Sequence, residues 1–117
     1  MKPIYNILSL QKCGNGYSAQ VSFDPEHIIY KAHFPNNPIT PGVILLQICK
    51  ECVMRIIQLQ EDISNVIISN IKMIKFTNFI IPQTGHTINI TIQQTDNIFK
   101  TTIFDNEKEY AKMQFTI

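Results

Sequence analysis

The chain has 117 residues, of which 44% are hydrophobic and only 16% are charged, and its formal net charge is +1. Because the charged share lies below the roughly 25% of an average protein, we expect self-association to cover part of the surface. So small a net charge gives no general attraction to nucleic acid or to an anionic membrane, and we expect neither as a partner.

Size and cysteine content indicate the compartment and the number of domains. The first six residues lack the apolar core of a signal peptide, and no apolar run approaches the ~20 residues of a membrane span. Three cysteines are an odd number, which argues against a disulfide framework and favours a reducing compartment. We therefore expect a cytoplasmic protein whose residues 1–117 form one domain.

The chain begins with two predicted strands. Ile7 and Leu8 lie in an apolar first strand, and residues 14–16 (Gly-Asn-Gly) suit a hairpin turn. In the return strand, Ala19, Val21 and Phe23 alternate with polar residues, and this period of two is typical of a half-buried strand.

A long helix is predicted after a proline-rich loop. Thr40 suits its N-cap, and Pro41 suits the first helical position, where the N–H group that proline lacks is not needed. One broad face is apolar, comprising Leu45, Cys49, Cys52, Val53, Ile56 and Ile57. The opposite face carries Gln47, Glu51, Arg55 and Gln58.

Further strands follow the helix. Residues 67–79 and 98–104 are predicted to be strands, with residues 105–107 as a turn. The alternating apolar positions of the other two strands are Ile88, Ile90 and Ile92, and then Ala111, Met113, Phe115 and Ile117. One long helix among five or so antiparallel strands predicts an α+β domain with a curled sheet around the helix.

The loop and the helix start combine two chemical features. His33 can exchange protons near neutral pH, and an N–H group at Gly42 can approach a ligand oxygen closely because glycine has no Cβ. Pro35, Pro38 and Pro41 stiffen the backbone between them. A structural role is the alternative for each: a histidine bound to a backbone carbonyl, and a glycine that relieves crowding beside the sheet.

These residues carry a family resemblance. Residues 33–46, HFPNNPITPGVILL, resemble the signature of the hot-dog-fold 3-hydroxyacyl-(acyl-carrier-protein) dehydratases of fatty acid synthesis. Residues 23–30 and 75–82 extend the resemblance over nearly the whole chain. It implies a hot-dog fold and reversible dehydration of 3-hydroxyacyl thioesters, on a carrier protein or on CoA, to trans-2-enoyl thioesters. It also implies a homodimer or higher oligomer with shared active sites, and no metal or redox cofactor.

The resemblance assigns roles to individual residues. His33 would move the substrate α-proton, and the N–H of Gly42 would polarise the thioester carbonyl. The family's acidic residue, which the other subunit contributes, falls at Gln47, whose amide can hydrogen-bond but cannot exchange a proton. The residues placed along the substrate are Phe34, Pro41, Val43 and Phe76.

The glutamine leaves alternatives open. Gln47 could orient a hydroxyl group or a water, which permits dehydration or turns the same scaffold into an acyl thioesterase. Glu51, one helical turn on, could supply the missing carboxylate, although an i,i+4 ion pair with Arg55 is the favoured interpretation. A further alternative is a non-catalytic acyl-binding subunit of a heteromeric dehydratase.

The remaining candidates have simpler interpretations. Cys49 and Cys52 form a C-x-x-C without a second pair, so buried free thiols are favoured over a metal site. His27 and His86 have no recognisable partners and are expected on the surface or in turns. Residues 28–30 and 76–81 are expected in the core, although such residues can also line an acyl tunnel in this fold.

Overall fold

The computed structural model of the protein describes residues 3–32, 36–61 and 68–117. Its elements are β1 (Tyr5–Cys13), β2 (Gly16–Phe23), α1 (Ile28–Ala32), α2 (Gly42–Glu61), β3 (Asn70–Phe76), β4 (Thr87–Thr95), β5 (Ile98–Phe104) and β6 (Glu109–Thr116). The predicted α+β architecture is confirmed: six strands form one sheet around one long helix. The short helix α1 was not foreseen from the sequence.

All neighbouring strands of the sheet are antiparallel, in the order β1-β2-β4-β5-β6-β3. The β1–β2 hairpin turns at Gly14, whose φ of 59° is a conformation that glycine adopts without steric cost. In this order β1 and β3 are the two edges, and β3 reaches its edge only after the chain has passed through α2. Along the chain, α2 therefore connects the opening β1–β2 hairpin, at one side of the sheet, to β3 at the opposite edge.

The core lies between the sheet and α2, and alternation predicted it well. Ala19, Val21, Ile88, Ile90, Ile92, Ala111, Met113 and Phe115 are all buried. The apolar stripe of α2 is also confirmed, since Leu45, Cys49, Cys52, Val53, Ile56 and Ile57 are at most 2% exposed. Burial raises the pKa of the Cys49 thiol to about 12, which keeps it a neutral, inert group within the core.

The strand after the helix is shorter than predicted, and much of it faces outward. The prediction of a strand over residues 67–79 holds for Asn70–Phe76, where the ladder to β6 is interrupted between Lys72 and Lys75. Met73, inside this interruption, has a φ of 55°. Placing residues 76–81 in the core was wrong for most of the segment: Ile80 is buried, whereas Phe76, Phe79 and Ile81 are 50–72% exposed.

Within residues 3–32, 36–61 and 68–117, no helix is both long enough and apolar enough to cross a lipid bilayer. The same ranges contain no group of three or more histidine, cysteine, aspartate or glutamate side chains that could hold a metal ion.

Candidate active site

The proline-rich loop leads directly into the first turn of α2. The helix begins at Gly42, one residue after Pro41, whose carbonyl accepts a hydrogen bond from the N–H of Ile44 at 3.0 Å. Before it, the N–H of Thr40 donates to the carbonyl of Ile80 at 2.8 Å, which joins the helix start to the segment after β3. His33 and Phe34, the first residues of the motif, lie outside the described residues.

Gly42 lies against the ring of Phe76, the last residue of β3. A Cβ at position 42 would be 2.9 Å from Cζ of Phe76, closer than a real contact allows. This contact supplies a packing reason for glycine, in line with the crowding alternative. It also brings three sequence-predicted residues together, since Val43, which is 67% exposed, follows Gly42, and Phe76 is 50% exposed. The N–H of Ile44 is bonded to the carbonyl of Pro41, whereas the N–H groups of Gly42 and Val43 precede any acceptor within the helix, so this apolar corner presents those two donors to a ligand oxygen.

We expect Gly42→Ala to separate the packing role of the glycine from its role as a donor. The half-exposed Phe76 ring can turn away from the new methyl group, so the melting temperature should change little. The displaced ring and the methyl group should hinder approach to the N–H, lowering kcat/KM by roughly 10- to 100-fold, part of the effect of losing one oxyanion donor. Steady-state kinetics and thermal unfolding measure both.

A Gly42→Ala/Phe76→Ala double variant is the control, because it removes the crowding and leaves the methyl group in place. If Gly42→Ala alone leaves kcat/KM unchanged, close approach to the N–H of Gly42 is not needed. Full activity in the double variant would instead assign the loss to the displaced Phe76 ring rather than to the methyl group.

Gln47 and Glu51 lie one turn apart on α2, but their surroundings differ. Gln47 is exposed. Oε1 of Glu51 accepts a hydrogen bond from the hydroxyl of Tyr5 at 2.8 Å, and its Oε2 lies 2.6 Å from Nη2 of Arg55. The favoured i,i+4 ion pair is therefore present, and a contact with β1 adds to it. Burial and the bond to Glu51 raise the pKa of Tyr5 far above its ordinary value, so Tyr5 remains a donor to the carboxylate.

His27 lies at the end of a turn, as one of the two predicted placements has it, because its N–H donates to the carbonyl of Asp24 at 3.1 Å; the surface placement was wrong, since the side chain is buried. It is 6% exposed and immediately precedes α1, where its Nδ1 accepts a hydrogen bond from the N–H of Ile29 at 3.1 Å. Its carbonyl accepts another from the N–H of Tyr30 at 3.1 Å. His27 therefore caps the short helix that precedes His33, in the way that an asparagine side chain would.

A second cluster, which no motif or spacing in the sequence indicates, joins the segment after β3 to the β5–β6 turn. His86 Nε2 lies 3.0 Å from Oδ2 of Asp105, and the hydroxyl of Tyr110 donates to the same oxygen. The other oxygen, Oδ1, accepts the N–H groups of Glu107 and Lys108 at 2.8 and 2.9 Å. Burial raises the pKa of Asp105, but these hydrogen bonds outweigh it and hold that pKa far below its ordinary value.

We expect Asp105→Asn to lower the free energy of unfolding by about 1–3 kcal/mol at neutral pH, because an amide has one acceptor oxygen where the carboxylate uses two, each bonded to two groups. A carboxyl whose pKa is depressed by folding contributes its full stability above its unfolded pKa, near 3.9, and loses it as the pH falls toward the folded value. The difference between wild type and variant should therefore shrink below about pH 4.

Urea unfolding at several pH values tests this prediction. Asp96→Asn is the control, since Asp96 is an exposed acid in the equivalent turn between β4 and β5. Equal losses in the two variants, or a loss for Asp105→Asn that does not depend on pH, would contradict the proposed role of the cluster.

Two solved structures are similar to this fold over nearly the whole chain. A chain of the dehydratase heterocomplex ApeI:P from Xenorhabdus doucetiae has a TM-score of 0.70 and 23% identity, over 99% of this chain and 97% of that chain. An uncharacterised protein from Erwinia carotovora subsp. atroseptica has a TM-score of 0.57 and 20% identity, over 99% and 95% of the two chains. These likenesses confirm the hot-dog fold predicted from the motif.

A search of curated proteins finds no match. A family model, described as ApeI-like, the ApeI dehydratase, matches residues 10–114, a range that contains the whole loop, α2 and all strands but the start of β1 and the end of β6. This chain therefore belongs to the ApeI-like dehydratase family.

Proposed function

We propose that this protein reversibly dehydrates 3-hydroxyacyl thioesters to trans-2-enoyl thioesters, in fatty acid or a related lipid or polyketide synthesis. The acyl group would be carried by an acyl carrier protein or by CoA. The observation that carries the proposal is the match to a dehydratase family over residues 10–114, which includes the entire motif from His33 to Leu46.

In the first step of the proposed reaction, removal of the α-proton, two groups of the protein act: the imidazole of His33 and the N–H of Gly42. The imidazole of His33 removes the α-proton, and the electron pair of that C–H bond moves toward the thioester carbonyl. The N–H of Gly42 donates to the carbonyl oxygen as negative charge develops there, where a fixed donor is most effective. Phe34, Pro41, Val43 and Phe76 would surround the thioester and the acyl chain.

The second half of the reaction needs a proton on the leaving hydroxyl group. The C–O bond breaks, the C=C bond forms and water leaves once that proton has been supplied. The carboxylate of Glu51 is occupied within its own chain by Tyr5 and Arg55, whereas Gln47 is exposed and earlier in the helix. We therefore favour Gln47 as the side chain on the hydroxyl side of a neighbouring subunit's site, where its amide would orient the hydroxyl or a water that passes to the hydroxyl the proton taken up by His33.

Shared sites require association, and the edge strand β3 is suited to it. An edge strand offers unpaired backbone donors and acceptors to another chain. The exposed apolar residues of β3 and of the segment after it are Met73, Ile74, Phe76, Phe79 and Ile81. We propose that this strip pairs with a second copy of the chain in a homodimer or higher oligomer, or with a related chain, which brings the α2 helix of one subunit near the Gly42 corner of the other.

The amide at Gln47 favours a second candidate function, that of a subunit completed by a related chain. A homodimer would have no carboxylate at this position in either site. Pairing with a paralogue that carries a carboxylate there would complete one site, the one built from His33 and Gly42 of this chain. The ApeI:P assembly, a dehydratase described as a heterocomplex, supports this alternative.

The test follows enoyl thioester and free thiol in parallel, with short 3-hydroxyacyl and 2-enoyl thioesters as substrates. The chain is assayed alone and with a carboxylate-bearing paralogue. Enoyl product from the chain alone supports a self-sufficient dehydratase, and enoyl product only with the paralogue supports the second candidate. Free thiol without enoyl product would identify a thioesterase and overturn the proposal, as would no product under either condition.

A further inference from the structure

We propose that Tyr30 and Thr40 are positioning residues, whose hydroxyl–hydroxyl bond holds together the two ends of the segment that carries His33 and leads into Gly42. The inference rests on the proposed function for its catalytic consequence. The bond itself is a property of the fold and can be tested without turnover.

The bond is buried and bridges the first part of the motif. The hydroxyl of Tyr30 lies 2.9 Å from Oγ1 of Thr40, and the two residues are only 2% and 4% exposed. Ten positions separate them in the chain, so the bond closes a loop around the residues between. Within α1, residues 28–32, Tyr30 is the one residue that is buried. Much of the attachment of α1 to the rest of the protein therefore depends on this side chain.

Both ends of the bond are fixed by backbone contacts. The N–H of Tyr30 donates to the carbonyl of His27 at 3.1 Å, and the N–H of Thr40 donates to the carbonyl of Ile80 at 2.8 Å. Burial raises the pKa of Tyr30 above its ordinary value, so its hydroxyl stays protonated at neutral pH. A neutral hydroxyl pair between two anchored segments restricts the path of the chain without placing a charge near the site.

The proposed reactive groups lie close to this bond along the chain. His33 follows Tyr30 by three residues, and Gly42 follows Thr40 by two. Three residues span at most about 10 Å, so a fixed Tyr30 limits how far His33 can lie from it. A displacement of about 1 Å between reacting groups can cost on the order of 100-fold in rate.

A pair that only stabilises the fold and a pair that also positions the site are expected to differ in the turnover of the double variant. Removing one hydroxyl leaves its buried partner unsatisfied, but replacing both by apolar groups of the same shape can be nearly neutral for stability. The Tyr30→Phe/Thr40→Val double variant should therefore regain most of the stability that each single variant loses. If the bond positions the site, the double variant regains stability and remains slow.

The experiment compares kcat, KM and melting temperature for wild type, Tyr30→Phe, Thr40→Val and the double variant, in whichever assembly turns over. We expect kcat to fall roughly 10-fold or more in all three variants with KM little changed, as displaced reacting groups require. Thr101→Val is the matched control, since Thr101 is 2% exposed and its hydroxyl donates to the carbonyl of Met113 at 3.0 Å. It should lower the melting temperature and leave kcat unchanged.

A double variant that recovers both stability and kcat would overturn the inference, and so would equal losses of kcat in the Thr101 control. A second readout needs no activity: the amide NMR signal of Gly42 and the imidazole NMR signals of His33, assigned with His33→Ala. Changed Gly42 and His33 signals in Tyr30→Phe, but not in Thr101→Val, support positioning, and unchanged signals contradict it. Absence of enoyl product under every condition counts against the proposed function alone.

Discussion

Alanine at position 33 should lower dehydration by roughly 10²–10⁴-fold, the usual contribution of a positioned general base. The reason is chemical, because His33 is the proposed acceptor of the substrate α-proton and alanine offers no replacement. Binding should suffer less, so most of the loss is expected in kcat rather than in KM. The measurement is initial-rate formation of the enoyl thioester at saturating substrate, with circular dichroism to show that the variant is folded.

His33→Gln is the control for this prediction, since it keeps a polar side chain that cannot exchange a proton in the same pH range. It should be as slow as His33→Ala. A glutamine variant that retains wild-type turnover would show that position 33 contributes hydrogen bonding alone, and a fully active alanine variant would remove His33 from the mechanism.

Much of the fold could be predicted because burial follows simple periods in this chain. In β2, Ala19 and Val21 are buried while Gln20 is exposed, and β4 repeats the same alternation. The apolar stripe on α2 could be predicted equally well, because a helix packed inside a curled sheet must be apolar on a wide face. The bounds of β5 agree with the predicted residues 98–104.

The region after the helix was harder to predict because its apolar residues are not in the core. Ile74 and Phe79 are of residue types that are usually buried, but Ile74 lies exposed in the edge strand β3 and Phe79 in the loop beyond it. Hydrophobic pattern alone does not distinguish a residue buried within one chain from a residue available to another. The sequence signals for such a surface were the low charged share of the chain and the family resemblance, which implies an oligomer.

Side-chain contacts around the candidate site could be predicted where they are local and could not where they join residues distant in sequence. The motif placed Gly42 correctly at the start of α2, and spacing alone predicted the ion pair between Glu51 and Arg55. The bond between His86 and Asp105 joins residues 19 apart, and the Tyr5–Glu51 contact joins residues 46 apart. No spacing rule marks such pairs, which follow only from the order of strands in the sheet.

Gln47→Glu is expected to raise turnover of the homomeric protein by roughly 10²-fold or more, because it supplies the general acid that the amide lacks. Gln58→Glu is a matched control: Gln58 is also exposed, on the same helix about 16 Å further along, and gains the same charge. It should leave the rate unchanged. Loss of activity in Glu51→Gln, together with no gain in Gln47→Glu, would instead assign the proton donor to Glu51.

The same substitution distinguishes a self-sufficient enzyme from a subunit completed by a paralogue. In a mixed complex, the carboxylate of the paralogue would serve the site of His33, while Gln47 would face the paralogue's own histidine. His33→Ala should then abolish the activity of the complex, whereas loss of the paralogue's histidine should be tolerated. Once Gln47→Glu is present, both sites hold a base and an acid. The complex should then stay active after loss of either histidine alone, His33 or that of the paralogue. A mixed complex in which either histidine alone is dispensable before Gln47 is changed would contradict this asymmetry.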